Sequence, residues 1–125
     1  MGETKRPKTE NGKICYIDIP AYSIDKSAAF YEKLFGWNIR TRVDGSKSFD
    51  DAVGGVSGRW VLDRKPSTEI GMLVAIMVDD VAATLEAVKA NGGKMVQPIG
   101  MDAPEITARF SDPVGNIWCL YQEPG

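Results

Sequence analysis

Apolar and polar residues alternate over residues 14–21. Ile17 and Ile19 fall on one face and Tyr16 and Asp18 on the other, the mark of a β-strand. The period then lengthens. Ile24, Ala28, Tyr31 and Phe35 recur at helical spacing, behind Ser23 as an N-cap and ahead of Gly36 as a stop. Three short strands are expected next, over 37–43, 47–53 and 57–63, punctuated by Gly45, Gly54-Gly55 and Gly58. The programme then restarts with a strand over 71–78. A helix follows, capped by Asp79 or Asp80, with Val81, Leu85 and Val88 at i, i+4 and i+7 and Asn91-Gly92-Gly93 as its end. Strands over 94–100, 105–111 and 116–122 close the pattern, each bounded by Pro or Gly.

The two halves align. An offset of 57 carries Ile17 onto Val74, Ile19 onto Ile76, Ser23 onto Asp80, Ile24 onto Val81, Tyr31 onto Val88 and Gly36 onto Gly93. An offset of 58 carries Trp60-Val61-Leu62 onto Trp118-Cys119-Leu120. Each pair has one physical role, so a duplicated strand–helix–strand–strand–strand unit is expected. Alternation then assigns faces. Trp60, Leu62, Trp118 and Leu120 should pack beneath the helices with Ile17, Ile19, Val74 and Ile76. The opposite faces should carry Tyr16, Asp18, Arg59, Val61, Asp63, Leu73, Ala75, Met77, Ile117, Cys119 and Tyr121.

Composition narrows the function. A length of 125 residues is one domain's worth. Residues 1–12 read as a disordered tail without an apolar signal segment, and 13–125 as the domain, with modules at about 13–64 and 70–123. A net charge of −2 gives no basic footprint for nucleic acid. No apolar run approaches the ~20 residues of a membrane span. Cys15 and Cys119 make no disulfide framework, so a reduced, cytoplasmic protein is expected. There is no histidine, which removes Ser-His-Asp and Cys-His catalysis and most zinc sites.

Three segments carry a family resemblance. Phe30-Tyr31-Glu32-Lys33-Leu34-Phe35-Gly36-Trp37 is similar to the first-helix signature of the vicinal oxygen chelate (glyoxalase, bleomycin-resistance, extradiol dioxygenase) superfamily. Val78-Asp79-Asp80-Val81 resembles its second helix entry. The run from Phe110 through Asp112-Pro113-Val114-Gly115-Asn116 to Tyr121 resembles its closing loop and strand. The resemblance implies an α+β fold of two βαβββ modules in tandem. Their curled mixed sheets surround a central pocket, with helices outside. It also implies a divalent metal held from the first and last strand of each module. The matching positions are Tyr16, Val61, Leu73 and Cys119, with Cys119 standing where glutamate is usual. Leucine and valine cannot ligate, and one thiol with one phenol falls short of a three-ligand catalytic site. The expectation is therefore a protein with no metal and no cofactor.

A metal-independent small-molecule binding protein, similar to the bleomycin-resistance branch, is the favoured expectation. Its expected ligand-binding residues are Tyr16, Asp18, Arg59, Asp63, Leu73, Met77, Cys119 and Tyr121. Tyr16 and Tyr121 would stack on a planar ligand. Asp18, Arg59 and Asp63 would fix a polar group or pair with one another. Cys119, without histidine to activate it, reads as an inert thiol. The alternatives are a lyase, isomerase or dioxygenase-like enzyme using a pocket carboxylate or tyrosine, and a domain whose pocket is vestigial and whose role is association. The resemblance implies a homodimer.

Overall fold

The computed structural model describes residues 9–124. Most of the tail expected over residues 1–12 lies outside the described residues. The chain divides between Arg64 and Lys65 into two compact units. The first holds β1 (Tyr16–Pro20), α1 (Ile24–Phe35), β2 (Asn38–Thr41), β3 (Lys47–Asp50) and β4 (Ser57–Val61). The second holds β5 (Ala75–Met77), α2 (Val81–Ala90), β6 (Lys94–Gln97), β7 (Ile106–Ser111) and β8 (Ile117–Gln122). Each unit is one four-stranded mixed sheet, in the orders β1-β4-β3-β2 and β5-β8-β7-β6, with its first strand parallel to its last. The fold is α+β, with two βαβββ modules in tandem.

Local chemistry explains both helices. The Ser23 hydroxyl accepts the Lys26 N–H at 3.2 Å and Gly36 closes α1 in the left-handed region at φ 69°. Asp80, rather than Asp79, caps α2 by accepting the Ala83 N–H at 3.0 Å. Gly93 does not repeat the role of Gly36. Asn91 caps α2, and Gly92 takes the left-handed turn at φ 95°. Gly93 is instead a point of close approach, because a Cβ there would lie 2.5 Å from the Ser111 carbonyl oxygen.

The helix α1 packs on β2, β3 and β4, and α2 on β6, β7 and β8. Under α1, Tyr31 stacks on Trp37 with ring centroids 4.7 Å apart, Trp37 on Phe49 at 4.4 Å, and Phe49 tilts against Trp60 at 5.0 Å. In the second unit Val81, Leu85, Val88, Ala108, Phe110, Trp118 and Leu120 are buried.

Two residues expected in these cores are outside them. Leu62 is 60% exposed because β4 ends at Val61 and the chain has already left the sheet. Val74 is exposed because it precedes β5, a three-residue edge strand that pairs only with β8. The other strands are also shorter than their apolar runs, with β2 ending at Thr41, β3 at Asp50 and β6 at Gln97.

The register corrects the internal alignment. The Ala21 N–H donates to the Val61 carbonyl at 2.8 Å, and the Val78 N–H donates to that of Tyr121 at 2.8 Å. The first strands are thus related by 57 and the last strands by 60. Ile19 faces Trp60, and Ile76 faces Leu120. Trp60 therefore corresponds to Leu120 and Gly58 to Trp118. Both tryptophans are buried, at 3% and 6% exposure, but in different places.

Candidate functional site

Each sheet has a face turned away from its helix, and the pairing fixes its occupants. In the first unit the row Asp18, Arg59, Ser48, Arg40 crosses four strands, and the row Tyr16, Ser57, Asp50, Asn38 runs beside it. In the second unit Ala75, Cys119, Arg109 and Gln97 form one row, and Met77, Tyr121 and Thr107 another.

Asp18 is the hub of an ion-pair cluster. Its Oδ1 accepts from Arg59 Nε at 3.0 Å, and its Oδ2 lies 3.0 Å from Arg64 Nη2. The Arg59 hydrogen bond is the main reason the Asp18 carboxyl is held below the usual carboxylate range, and the same bond raises Arg59. Tyr16 and Asp63 are exposed, and Asp63 is close enough to act on Arg59 through charge alone. Of the residues expected here, the fold thus brings Tyr16, Asp18 and Arg59 onto one face. Asp63 lies in the turn that follows β4, with no ion pair of its own among the described residues.

In the second unit Leu73 is half-buried just before β5, and Met77 is 62% exposed. Cys119 is half-buried, and burial pushes its thiol upward, with Arg109 pulling the other way. The Tyr121 hydroxyl donates to Glu123 Oε1 at 3.0 Å, and that bond raises the phenol. A thiol pushed up is less nucleophilic at neutral pH. Both shifts leave these groups protonated near neutrality.

Sequence reasoning missed two elements of the first face. Arg64 lies beyond the end of β4, where alternation gives no guidance. The other is a buried polar cluster around Asp50, which is 1% exposed. Its Oδ1 accepts from Arg40 Nη2 at 2.9 Å and from Ser57 Oγ at 2.6 Å, and its Oδ2 from Asn38 Nδ2 at 3.5 Å. The signal was present in the polar–apolar–polar run Ser48-Phe49-Asp50, but only strand pairing shows that these residues meet Arg40 and Asn38. The Asp-Pro-x-Gly-Asn loop proves to be turn chemistry. Asp112 Oδ1 accepts the N–H groups of Val114, Gly115 and Asn116 at 3.1, 3.1 and 2.9 Å, and Asn116 Oδ1 accepts that of Ser67 at 2.7 Å. A cleft of about 600 Å³ opens elsewhere in the first unit, lined by residues 10–13 and 53–55 and by none of the candidates.

The donor set for a divalent metal is poor. The residue corresponding to Cys119 in the first unit is Arg59, not Val61, so the four positions hold a phenol, a guanidinium, a leucine and a neutral thiol. Guanidinium is always protonated and has no lone pair to give. Among the described residues no three His, Cys, Asp or Glu side chains come together to hold a metal ion. No helix among them is long and apolar enough to cross a membrane.

Comparison with known proteins gives the same family. The model of the Glyoxalase/Bleomycin resistance protein/Dioxygenase superfamily matches residues 13–120. A glyoxylase-like domain-containing protein of Didymella fabae is 29% identical over 124 residues, 92% of this chain and 97% of that one. Among solved structures, TnmS3, an antibiotic binding protein from Streptomyces sp. CB03234, superposes with a TM-score of 0.67 at 21% identity, covering 94% of this chain and all of that one. FosX, a genomically encoded fosfomycin resistance protein from Listeria monocytogenes, gives 0.68 at 18% identity over 92% and 94%. By family model, relative and fold together, the chain belongs to the glyoxalase/bleomycin resistance protein/dioxygenase superfamily.

Proposed function

We propose that the protein binds a small molecule without a metal ion, on sheet faces turned away from the helices. The observation that carries this reading is the donor set. Arg59 and Leu73 stand at two of the positions where the superfamily's enzymes hold a metal, and burial keeps the Cys119 thiol protonated. The fold likeness to an antibiotic binding protein and a fosfomycin resistance protein agrees with a binding role. Residues 13–125 would act as one binding domain of two modules, at about 13–64 and 70–123, in a cytoplasmic homodimer. Within the first unit Tyr16, Asp18, Arg59 and Asp63 would supply contacts; within the second, taken by itself, Leu73, Met77, Cys119 and Tyr121 would.

The enzymatic alternative finds less support. A general base works best with a pKa near the operating pH, and Asp18 is shifted the other way by Arg59.

A thermal-shift screen against metabolites, antibiotics and divalent metals tests the proposal. A ligand at 100 times its dissociation constant stabilises the folded state by about 2.7 kcal/mol. An organic hit with no response to metals is the expected result, with less than 0.1 metal per chain by elemental analysis. About one tightly held metal per chain would overturn it.

A further inference from the structure

The face of the first sheet turned away from α1 offers more hydrogen-bond donors than its own acceptors use. Both carboxylate oxygens of Asp18 are engaged, one by Arg59 and one by Arg64. Both oxygens of Asp50 are engaged as well, by Arg40, Ser57 and Asn38. Every carboxylate oxygen of Asp18 and Asp50 thus has a partner, while part of the donor set of Arg59 and Arg64 does not, among the described residues. A guanidinium carries five N–H donors, and among the described residues Arg59 commits only Nε. Its two terminal nitrogens remain, and they form the fork that matches a carboxylate or phosphate in two parallel hydrogen bonds. Arg64 commits one terminal nitrogen.

Geometry makes the fork usable. Asp18 grips Arg59 at Nε, the inner end of the guanidinium, which fixes its plane and leaves the outer edge free. The two arginine side chains are 52% and 55% exposed while the Asp18 side chain is only 21% exposed. The anchor is therefore sheltered and the donors are reachable. Tyr16 lies on the same face, two residues along β1 from Asp18 and 45% exposed, with its ring available to an organic group attached to the anion. Asp63, the remaining carboxylate near Arg59, makes no ion pair with it among the described residues, so it does not occupy the fork.

We propose that Arg59 and Arg64, positioned by Asp18, bind an oxyanion of the ligand, a carboxylate or a phosphonate or phosphate group borne on an organic body that rests against Tyr16. This rests on the small-molecule-binding reading above and names the class of ligand the first unit takes.

Three probes with one phenyl ring separate the possibilities: benzoate, phenylphosphonate and neutral benzamide. They are titrated into the full chain, following the backbone amides of β1 and β4 and the Arg59 Nε–H by NMR. At least one anion is expected to bind about tenfold or more tightly than benzamide and to shift Arg59 Nε–H; which one does so identifies the oxyanion. Arg59→Gln and Arg64→Gln should each lose most of that advantage. Arg59→Lys should recover only part of it, because it restores charge without the fork. Circular dichroism of each variant checks that the fold is kept, as expected for exposed side chains. Benzamide binding as well as both anions, or Arg59→Gln binding the favoured anion as wild type does, would overturn the inference. If the anions fail while the wider screen returns an organic ligand, the oxyanion inference falls and the binding reading stands. If the screen is blank as well, both fall.

Discussion

Replacing Gly58 by alanine should destabilise the first unit from its centre. An ideal Cβ at this position lies 2.3 Å from the Ile17 carbonyl oxygen, 2.3 Å from Phe49 Cζ and 2.5 Å from Phe49 Cε2. Ordinary carbon contacts lie near 3.5–4.0 Å, so the overlap is more than 1 Å on two sides. Neither neighbour can retreat cheaply. Ile17 is Gly58's partner in the β1–β4 ladder, so moving its carbonyl opens that ladder. Phe49 is 1% exposed, stacked on Trp37 and lodged against Trp60. Overpacking a core costs about 1–3 kcal/mol, and a disturbed ladder hydrogen bond about 1 kcal/mol more. Gly58→Ala should therefore cost about 3 kcal/mol, or roughly 10 °C in melting temperature. Gly71→Ala is the control. Among the described residues no atom lies within 4 Å of its Cβ, and its backbone is not left-handed, so it should change stability by about 0.5 kcal/mol or less. Urea unfolding followed by tryptophan fluorescence reads both. A cost below about 0.5 kcal/mol at Gly58, or equal costs at the two glycines, would refute the packing described for this unit.

Two further outcomes are expected. Leu120→Ala should cost about 2–5 kcal/mol, because the side chain is fully buried beneath α2, while Leu62→Ala should cost about 0.5 kcal/mol or less; chemical denaturation of the pair decides whether the β4 boundary is correct. The Asp18 cluster should give a pH dependence of definite sign. Its folded pKa is lowered by the Arg59 hydrogen bond, so its contribution is complete above the ordinary carboxylate value of about 3.9 and is lost as pH falls below it. The stability gap between wild type and Asp18→Asn should hold from pH 7 to about 5 and narrow as pH falls below about 3.9, as read by urea unfolding across pH; a gap that does not change with pH would show that Asp18 acts by packing rather than by charge.

The two helices were legible in the sequence because their determinants are local. A cap, a run of apolar residues at 3.6 spacing and a stop all sit within 14 residues for α1, from Ser23 to Gly36. Strand ends were less legible because pairing, not apolar content, decides them. The run over 71–78 is continuously apolar after Gly71, yet the strand formed there is only Ala75–Met77, with hydrogen bonds to β8 reaching no further than Val74 and Val78 among the described residues. The same limit hid Arg64. Its contact with Asp18 arises from how the chain turns after β4, which no periodicity records. Asp50 was hidden for a different reason: its partners, Arg40, Asn38 and Ser57, come from strands on both sides of its own.

The internal repeat shows why face assignment can succeed where residue-by-residue matching fails. Aligning the closing strands by their shared Trp-x-Leu letters gives an offset of 58, whereas hydrogen bonding gives 60. The discrepancy is two residues, one full strand period, so every side chain stays on the face first assigned to it. Tyr16, Asp18 and Arg59 still share the face away from α1, and Trp60 and Leu120 still face their helices. What changes is identity at each place. Phe49 fills the space over Gly58 in the first unit, where the second sets Trp118 beside Phe110. The partner of Cys119 becomes Arg59 instead of Val61. With valine there, the position would be an apolar gap with no ligand atom to offer. With arginine gripped at Nε by Asp18, it is a fixed cation with its outer donors uncommitted. An alignment by letters therefore predicts a face that merely lacks a metal, while the strand register predicts one that attracts an anion.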